Sequence, residues 1–397
     1  MNGPRFLMAA GGTGGHVMPA VAVAKGVLAL DPEAEFLFVG AGRPAEEAAL
    51  APGGWSRAAV KAAPVKGKGL PAKVKGVARA FQAFFQALAI LRRFRPDLVF
   101  GSGGYSSGPV GLAAWVMRVP LVIHEQNRRP GLANRALGRL AARIFLGDPG
   151  AAGSFPAGRT VCSGNPVRPE IFVDAPKGGP RGEGAPFTLL VLGGSQGAES
   201  LNRAVAEALP GLKSLEGGDG RGPLPGSGAR RVRVIHQAGA AGEARLRPLY
   251  EASGLEEWEL GAFFTDMARL YREADLALCR SGALTLAELA SAAVPAALVP
   301  FPWAADDHQT ENARAFEAAG AAILLPERVL SGEAVVSLVR GFLAGPDRLG
   351  AMSRAAMALA RRDAAAVMAE EVLRLARGRR ERRGRKAAAG EKIAGAL

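Results

Sequence analysis

Cysteine is almost missing from this 397-residue chain, which has only Cys162 and Cys279. Two cysteines build no disulfide framework and give no metal-ligand spacing, so a reducing cytoplasm fits best. Both read as small buried hydrophobes on strands. Histidine is scarce too, with His16, His124, His236 and His308 the full set. No H-E-x-x-H, cysteine cluster or Asp-x-Asp triplet at a strand end points to a metal site. No G-x-S-x-G elbow supports a serine hydrolase. Aromatic residues make up only 6%. No apolar run reaches the roughly 20 residues that a spanning helix needs. Residues 1–4 lead straight into a strand, and no secretory signal is expected.

What is abundant is small and apolar. There are 53 glycines and 49% hydrophobic residues, and the mean hydropathy is +0.11. Such a chain can bury sizeable cores, and its length is comfortable for two domains. The net charge of +14 is unevenly placed. Residues 1–163 hold 20 Lys+Arg against 8 Asp+Glu, residues 164–373 hold 21 against 26, and residues 374–397 hold 9 against 2. A basic first half and a basic tail around an acidic second half suggest an anionic surface as partner.

Two glycine loops organise the chain. Phe187 to Leu192 is an apolar run of strand length, followed by Gly193, Gly194, Ser195, Gln196 and Gly197 and then a helical pattern from Leu201 to Leu209. The same order occurs earlier: strand Phe6 to Ala10, glycine turn Gly11 to Gly15, helix Pro19 to Leu30. Glycines let the backbone approach a ligand, and a helix start presents free N–H groups with partial positive charge. Each loop reads as a phosphate cradle or as a tight turn without a ligand. Together they predict two α/β domains of similar build, doubly wound and Rossmann-like, facing across a cleft.

Between them lies the most asymmetric stretch. Arg57 to Arg95 carries ten basic residues and no acidic one. Pro64 to Pro71 reads as irregular. Lys73 to Arg95 reads as a helix, with Val74, Val77, Phe81, Phe84, Phe85, Leu88 and Leu91 at helical spacing. That face is either domain core or an apolar patch rimmed by charge that lies on anionic headgroups. Nucleic acid ranks below both, because no binding motif accompanies the charge.

Further polar turns follow apolar runs. Gly101 to Pro109 (GSGGYSSGP) suits phosphate or sugar. Pro120 to Asn127 delivers His124, Glu125, Gln126 and Asn127 at a strand's carboxyl end, where open α/β sheets place ligands. Thr160 to Arg168 reads as the linker. Lys213 to Arg231 is a Gly- and Pro-rich insertion without hydrophobic period. Ser281 to Glu288 opens another helix, and Asp306 to Gly320 is a helix with a polar first turn. Met352 to Leu375 reads as one long helix, and Arg377 to Leu397 as a disordered tail. At a helix start, His16 tends to stay neutral and suits a general base. Glu288 could hold a ribose or could be a surface acid favoured by the helix dipole.

Seven of these motifs, GGTGGH, GGYSSGP, HEQN, SGNPVR, GGSQGA, RSGALTLAE and DDHQTENA, occur in this order. In that order they resemble the MurG family, peripheral membrane enzymes of peptidoglycan synthesis. The resemblance implies a GT-B fold. An acceptor and membrane-facing domain would span 1–163 and a donor domain 164–350. Residues 351–376 would form a helix returning to the first domain, with a basic tail over 377–397. It implies an inverting transfer, without a metal or other cofactor, of N-acetylglucosamine from its UDP donor to the C4 hydroxyl of N-acetylmuramic acid in lipid I.

By the same resemblance, His16 is the general base, with Glu125 as alternative or helper. Ser195 and the backbone of Gly282, Ala283, Leu284, Thr285, Leu286 and Ala287 hold the donor diphosphate. Glu288 binds ribose, Phe264 reads uracil through its backbone, and Arg168 reaches the nucleotide. Thr13, Gly14, Gly15, Asn127, His308 and Gln309 approach the sugar. The acceptor diphosphate lies at Gly12, Gly14, Gly103, Gly104, Ser106 and Ser107. The 61–95 region docks on the cytoplasmic face of the bacterial membrane, with a wall-synthesis complex as a further partner. Rival readings are a glycolipid glycosyltransferase, a nucleotide-sugar epimerase, a nicotinamide oxidoreductase and a non-catalytic surface binder. The oxidoreductase is disfavoured because Val17 stands where a G-x-G-x-x-G loop needs its last glycine.

Overall fold

The structure is a computed structural model and describes residues 3–11, 14–62, 70–177, 185–194, 197–216 and 231–394. The chain divides into two compact units, residues 1–167 with 363–397, and residues 168–362.

The first unit runs β1 (Arg5–Ala9), α1 (Gly14–Leu30), β2 (Glu35–Gly40), α2 (Pro44–Leu50), β3 (Ser56–Ala59), α3 (Leu70–Phe94), β4 (Leu98–Gly101), α4 (Ser107–Val116), β5 (Leu121–Glu125), α5 (Leu132–Gly138), β6 (Arg143–Leu146) and β7 (Thr160–Cys162). The strands form one parallel sheet in the order β3-β2-β1-β4-β5-β6-β7. Continuous apolar strands suit a sheet covered on both faces, and successive side chains alternate between the two. Phe6, Met8, Phe38 and Phe100 pack with Val23 and Val27 of α1. Leu7, Val99 and Ile123 pack with Ala83, Leu88 and Leu91 of α3 and Val110 of α4.

The second unit runs β8 (Phe187–Leu192), α6 (Glu199–Ser214), β9 (Val232–Gln237), α7 (Ala240–Ala252), β10 (Glu257–Gly261), α8 (Met267–Glu273), β11 (Leu276–Cys279), α9 (Ala283–Ser291), β12 (Ala296–Leu298), α10 (His308–Ala318), β13 (Ala322–Leu324), α11 (Gly332–Ala344) and α12 (Pro346–Ala358). Its sheet is parallel, in the order β10-β9-β8-β11-β12-β13. After α12, helix α13 (Ala364–Ala394) returns to the first unit.

Several expectations need correction. Met352 to Leu375 is two helices, because the chain serves two cores there. Leu349 and Met352 of α12 pack in the second unit. Met368, Ala369 and Val372 of α13 pack in the first, where Ala369 lies against Gly26 of α1. The tail is helical through Ala394, consistent with the helix propensity of its Ala, Arg, Lys and Glu. Thr160–Cys162 is an edge strand rather than linker, and Cys162 is exposed while Cys279 is buried. The α3 face is divided: Leu88 and Leu91 are core, while Phe81 and Phe85 are 64% and 52% exposed. The supposed insertion begins later than Lys213, since α6 reaches Ser214 and Glu216 accepts from Val232 N–H at 3.0 Å. The 217–230 stretch and the 63–69 loop lie outside the described residues.

His236, fully buried on β9, is a structural residue. Its Nε2 lies 3.0 Å from Asn202 Oδ1 and its Nδ1 3.0 Å from Tyr250 Oη. Asn202 Nδ2 donates to the Ala238 carbonyl, so Oδ1 is the acceptor facing His236. Nε2 therefore carries the proton and Nδ1 accepts from the tyrosine. Burial pulls the His236 pKa down to about 3. Between that value and about 6.5 the unfolded chain binds a proton that the native one does not. Stability falls as pH drops through this window, by about 1.4 kcal/mol per pH unit. Denaturant titrations of the wild type and His236→Gln from pH 6.5 to 4 should show that slope reduced in the variant by about this amount.

Candidate functional site

In the first unit, three loops leave the carboxyl ends of β1, β4 and β5. His16 lies in the first turn of α1, and its Nδ1 is 2.9 Å from the Ser102 carbonyl oxygen. A carbonyl only accepts, so Nδ1 carries the proton and Nε2 is the unprotonated nitrogen of the neutral ring. Ser102 also donates its hydroxyl to the His16 carbonyl at 2.6 Å. Gln126 Nε2 donates to the same Ser102 carbonyl at 2.6 Å. Ring and helix start are thus held from one residue of a neighbouring loop.

That loop depends on glycine. Gly103 and Gly104 have φ of +91° and +80°. A Cβ on Gly104 would sit 1.8 Å from the Gly11 carbonyl oxygen, and one on Gly103 would sit 3.0 Å from His16 Nδ1. Gly104→Ala should therefore cost about 2 kcal/mol or more in unfolding free energy and lower turnover with it. Chemical denaturation together with transfer kinetics checks both; an unperturbed midpoint would contradict the close approach.

The two serines after this loop differ. Ser107 Oγ is committed to the Gly103 carbonyl at 2.5 Å and the Ala9 carbonyl at 2.9 Å. Ser106 Oγ is buried without a hydrogen-bond partner among the described residues. Glu125 is 1% exposed and accepts four bonds: from Asn127 N–H (2.9 Å), Asn127 Nδ2 (3.2 Å), Gly131 N–H (3.1 Å) and Asn134 Nδ2 (2.9 Å). These use the acceptor capacity of a carboxylate. In this arrangement Glu125 anchors the 126–134 loop and offers no lone pair to a hydroxyl. His124 is fully buried, and burial followed by the nearby charge of His16 lowers its pKa to about 3.

In the second unit, the loop after β8 again needs glycine. Gly194 and Gly197 have φ of +81° and +74°, and a Cβ on Gly197 would lie 2.2 Å from the Ala238 carbonyl oxygen. Gln237 bridges two loops, donating to the Gly194 carbonyl at 3.2 Å and accepting from Phe264 N–H at 3.1 Å. Phe264 therefore has its carbonyl, not its N–H, to offer a base.

Glu288 on α9 accepts from Tyr271 Oη at 2.8 Å and from Arg168 Nη2 at 3.4 Å. Burial raises its pKa, with Arg168 and Tyr271 pulling the other way. The start of α9 has no side-chain cap, because Gly282 is its N-cap. Its first N–H groups, at Ala283, Leu284 and Thr285, have no intrahelical acceptor. Gln309 accepts from Phe301 N–H at 2.9 Å through Oε1, while its Nε2 has no partner among the described residues. His308 opens α10 after Asp306 and Asp307, both at positive φ.

The chain matches two family models, the glycosyltransferase family 28 N-terminal domain over residues 6–146 and its C-terminal domain over residues 188–368. A Geobacter sulfurreducens protein is 40% identical over 371 residues, covering 93% of this chain and 98% of that one. An Anaeromyxobacter dehalogenans protein is 40% identical over 375 residues, covering 94% of each. Both are named UDP-N-acetylglucosamine–N-acetylmuramyl-(pentapeptide) pyrophosphoryl-undecaprenol N-acetylglucosamine transferase. The chain belongs to the MurG group of glycosyltransferase family 28.

The crystal structure of Acinetobacter baumannii MurG superposes with a TM-score of 0.69 at 30% identity, covering 94% of this chain and all of that one. A UDP-GlcNAc 2-epimerase from Neisseria meningitidis gives 0.62 at 12% identity and shares the fold alone. As a member of family 28 the protein is a hexosyltransferase of GT-B fold.

Of the residues that the MurG resemblance points to, Gly12, Thr13 and Ser195 lie outside the described residues. His16, Gly103, Gly104 and Ser106 come together in the first unit. Arg168 and Glu288 come together in the second, although 120 positions separate them. Ser102, Gln126, Asn134, Gln237 and Tyr271 support these groups; Ser102 and Gln126 fall in polar turns that the sequence marks, while Asn134, Gln237 and Tyr271 carry no such mark.

Proposed function

We propose that the protein transfers N-acetylglucosamine from UDP-GlcNAc to the C4 hydroxyl of the N-acetylmuramic acid in lipid I, with inversion. The observation that carries this reading is the near end-to-end match to relatives named for that transfer. The geometry supports it. His16 Nε2 takes the acceptor proton as the hydroxyl attacks the anomeric carbon, while Ser102 holds Nδ1–H and favours the imidazolium as it forms. Glu125 positions Asn127 and its loop. Ser106 Oγ, the Gly103–Gly104 backbone and the starts of α1 and α4 receive the acceptor diphosphate.

UDP leaves as a dianion-like group. The open N–H groups at the start of α9, Ser195 and Arg168 stabilise that charge. Glu288 accepts from the ribose hydroxyls, the Phe264 carbonyl faces uracil, and Gln309 Nε2 with His308 faces the sugar.

Among the described residues no helix is long and apolar enough to cross a membrane. Docking on the inner leaflet instead uses the exposed Phe81 and Phe85 of α3 with Leu112, Trp115 and Val116 of the adjacent α4, together with the exposed Arg79, Arg92 and Arg93 of α3.

The deciding experiment measures transfer of labelled N-acetylglucosamine from its UDP donor to a short-chain lipid I analogue, with and without EDTA. Transfer unaffected by EDTA is expected. Absence of transfer in protein that still binds UDP would sink the acceptor assignment, and loss with EDTA would sink the metal-free mechanism.

A further inference from the structure

Helix α13 keeps going after its last core residue, Ala376, as a strongly basic segment. Arg377, Arg379, Arg380, Arg382, Arg383 and Arg385 stand over residues 377–385, with Glu381 the only acid among them. The segment is held on the first unit at three places. Arg377 pairs with Asp31, which follows α1, at 2.8 Å. Arg380 and Arg383 each approach Asp97, which follows α3, at 3.9 Å. Arg379 donates to the carbonyl of Arg118, which follows α4, at 2.5 Å. The segment thus lies along the amino-terminal edge of the parallel sheet, from the end of α1 past the ends of α3 and α4.

This placement joins it to an apolar surface. Arg118 closes the turn after α4, its N–H donating to the Trp115 carbonyl. Trp115 and Val116 in that turn are 52% and 51% exposed. Arg92, Arg93 and Arg95 at the end of α3 are exposed beside Asp97. Among the described residues two acids, Asp31 and Asp97, pair with this group, and they are outnumbered. Burial, and then the charge of Arg383, lower the pKa of Arg379. Arg382 and Arg385 are exposed and make no ion pair among the described residues. Crowded cations on a fixed helix, next to exposed Trp and Val, fit a plane that offers many phosphates beside hydrocarbon.

We propose that residues 377–385 bind the headgroups of anionic phospholipids, as the basic rim of the α3/α4 apolar face. The proposal rests on reading that face as the membrane-docking surface, and it adds a second, charge-selective element from the far end of the chain.

The test compares the full-length protein with Arg382→Glu/Arg385→Glu and with Phe81→Ser/Phe85→Ser on phosphatidylcholine vesicles with and without phosphatidylglycerol. Helix content and transfer to a soluble short-chain acceptor serve as controls, because none of the four residues belongs to the catalytic site. The Arg variant should bind phosphatidylglycerol vesicles about tenfold to a hundredfold more weakly, at unchanged binding to neutral ones. Wild-type-like binding by the Arg variant overturns the proposal, and so does an equal loss on neutral vesicles. Loss in the Arg variant with retention in the Phe variant upholds the tail and removes the α3/α4 reading. No binding of the wild type to either vesicle removes both. Capture of a short RNA that only the Arg variant loses, with vesicle binding unchanged, assigns the segment to nucleic acid and overturns the proposal.

Discussion

Replacing His16 with alanine should lower kcat by about 10²- to 10⁴-fold, the usual worth of a positioned general base, and leave UDP affinity within about twofold. The argument rests on the ring's tautomer. The Ser102 carbonyl fixes the proton on Nδ1, so the neutral ring presents Nε2 for a proton. Gln126 and the Ser102 hydroxyl fix the carbonyl and the helix turn that carry the ring. Removing the imidazole removes the base and leaves the α1 backbone unchanged. His16→Gln is the informative companion. It can still donate a hydrogen bond but cannot take a proton at neutral pH, so its kcat should be as low as that of the alanine variant. Steady-state kinetics with calorimetric UDP titration separates the cases. A collapse of UDP affinity with normal turnover of bound donor would make His16 a donor ligand instead.

The glycine turns after β4 and β8 were legible because glycine is a backbone requirement and not a packing preference. Gly104 and Gly197 stand where a Cβ would strike a carbonyl oxygen, and no other residue type substitutes for them. The central strands were legible because burial on both faces leaves continuous apolar runs. The edge strand β3, SRAA, was not legible, since it is mostly exposed and has neither pattern. Nor was the break between α12 and α13. Leu359 to Asp363 contains no glycine or proline, and the helix ends there because the next core residues belong to the other unit. The α3 stripe was ambiguous for a similar reason. Helical spacing identifies a face, but only the packed structure shows that Leu88 and Leu91 are covered while Phe81 and Phe85 are not.

Site residues divided along the same line. His16 stands at a helix start, where the dipole gives a reason to notice it, and Glu288 follows the small-residue opening of α9 one turn further on. The role of Glu125 could not be read, because its four donors become visible only when the 126–134 loop folds around it. Tyr271 on α8 carries no cue in the sequence. Its ring is core, and its hydroxyl is what sets the carboxylate of Glu288.

That carboxylate gives the second large expectation. Glu288→Gln should raise the KM for UDP-GlcNAc by about 10²-fold with little change in kcat. Two ribose hydroxyls donating to a carboxylate are worth about 1.5–3 kcal/mol each, and the neutral amide recovers only part of that. Binding lost equally in the ground state and the transition state appears in KM. Tyr271→Phe, which removes one of the bonds orienting the carboxylate, should cost less, about threefold to tenfold. A donor with 2′-deoxyribose supplies the control. If Glu288 holds the 2′-hydroxyl, the variant and the modified donor share one loss, and their combined penalty falls well short of the product of the two. Independent penalties would place Glu288 in a purely structural role with Arg168. The pH dependence adds a check with a definite sign. Burial raises the Glu288 pKa, so the carboxylate takes a proton at a higher pH than an exposed one. Donor affinity in the wild type should then weaken as pH falls, beginning above the ordinary carboxylate range, and Glu288→Gln should lack that limb.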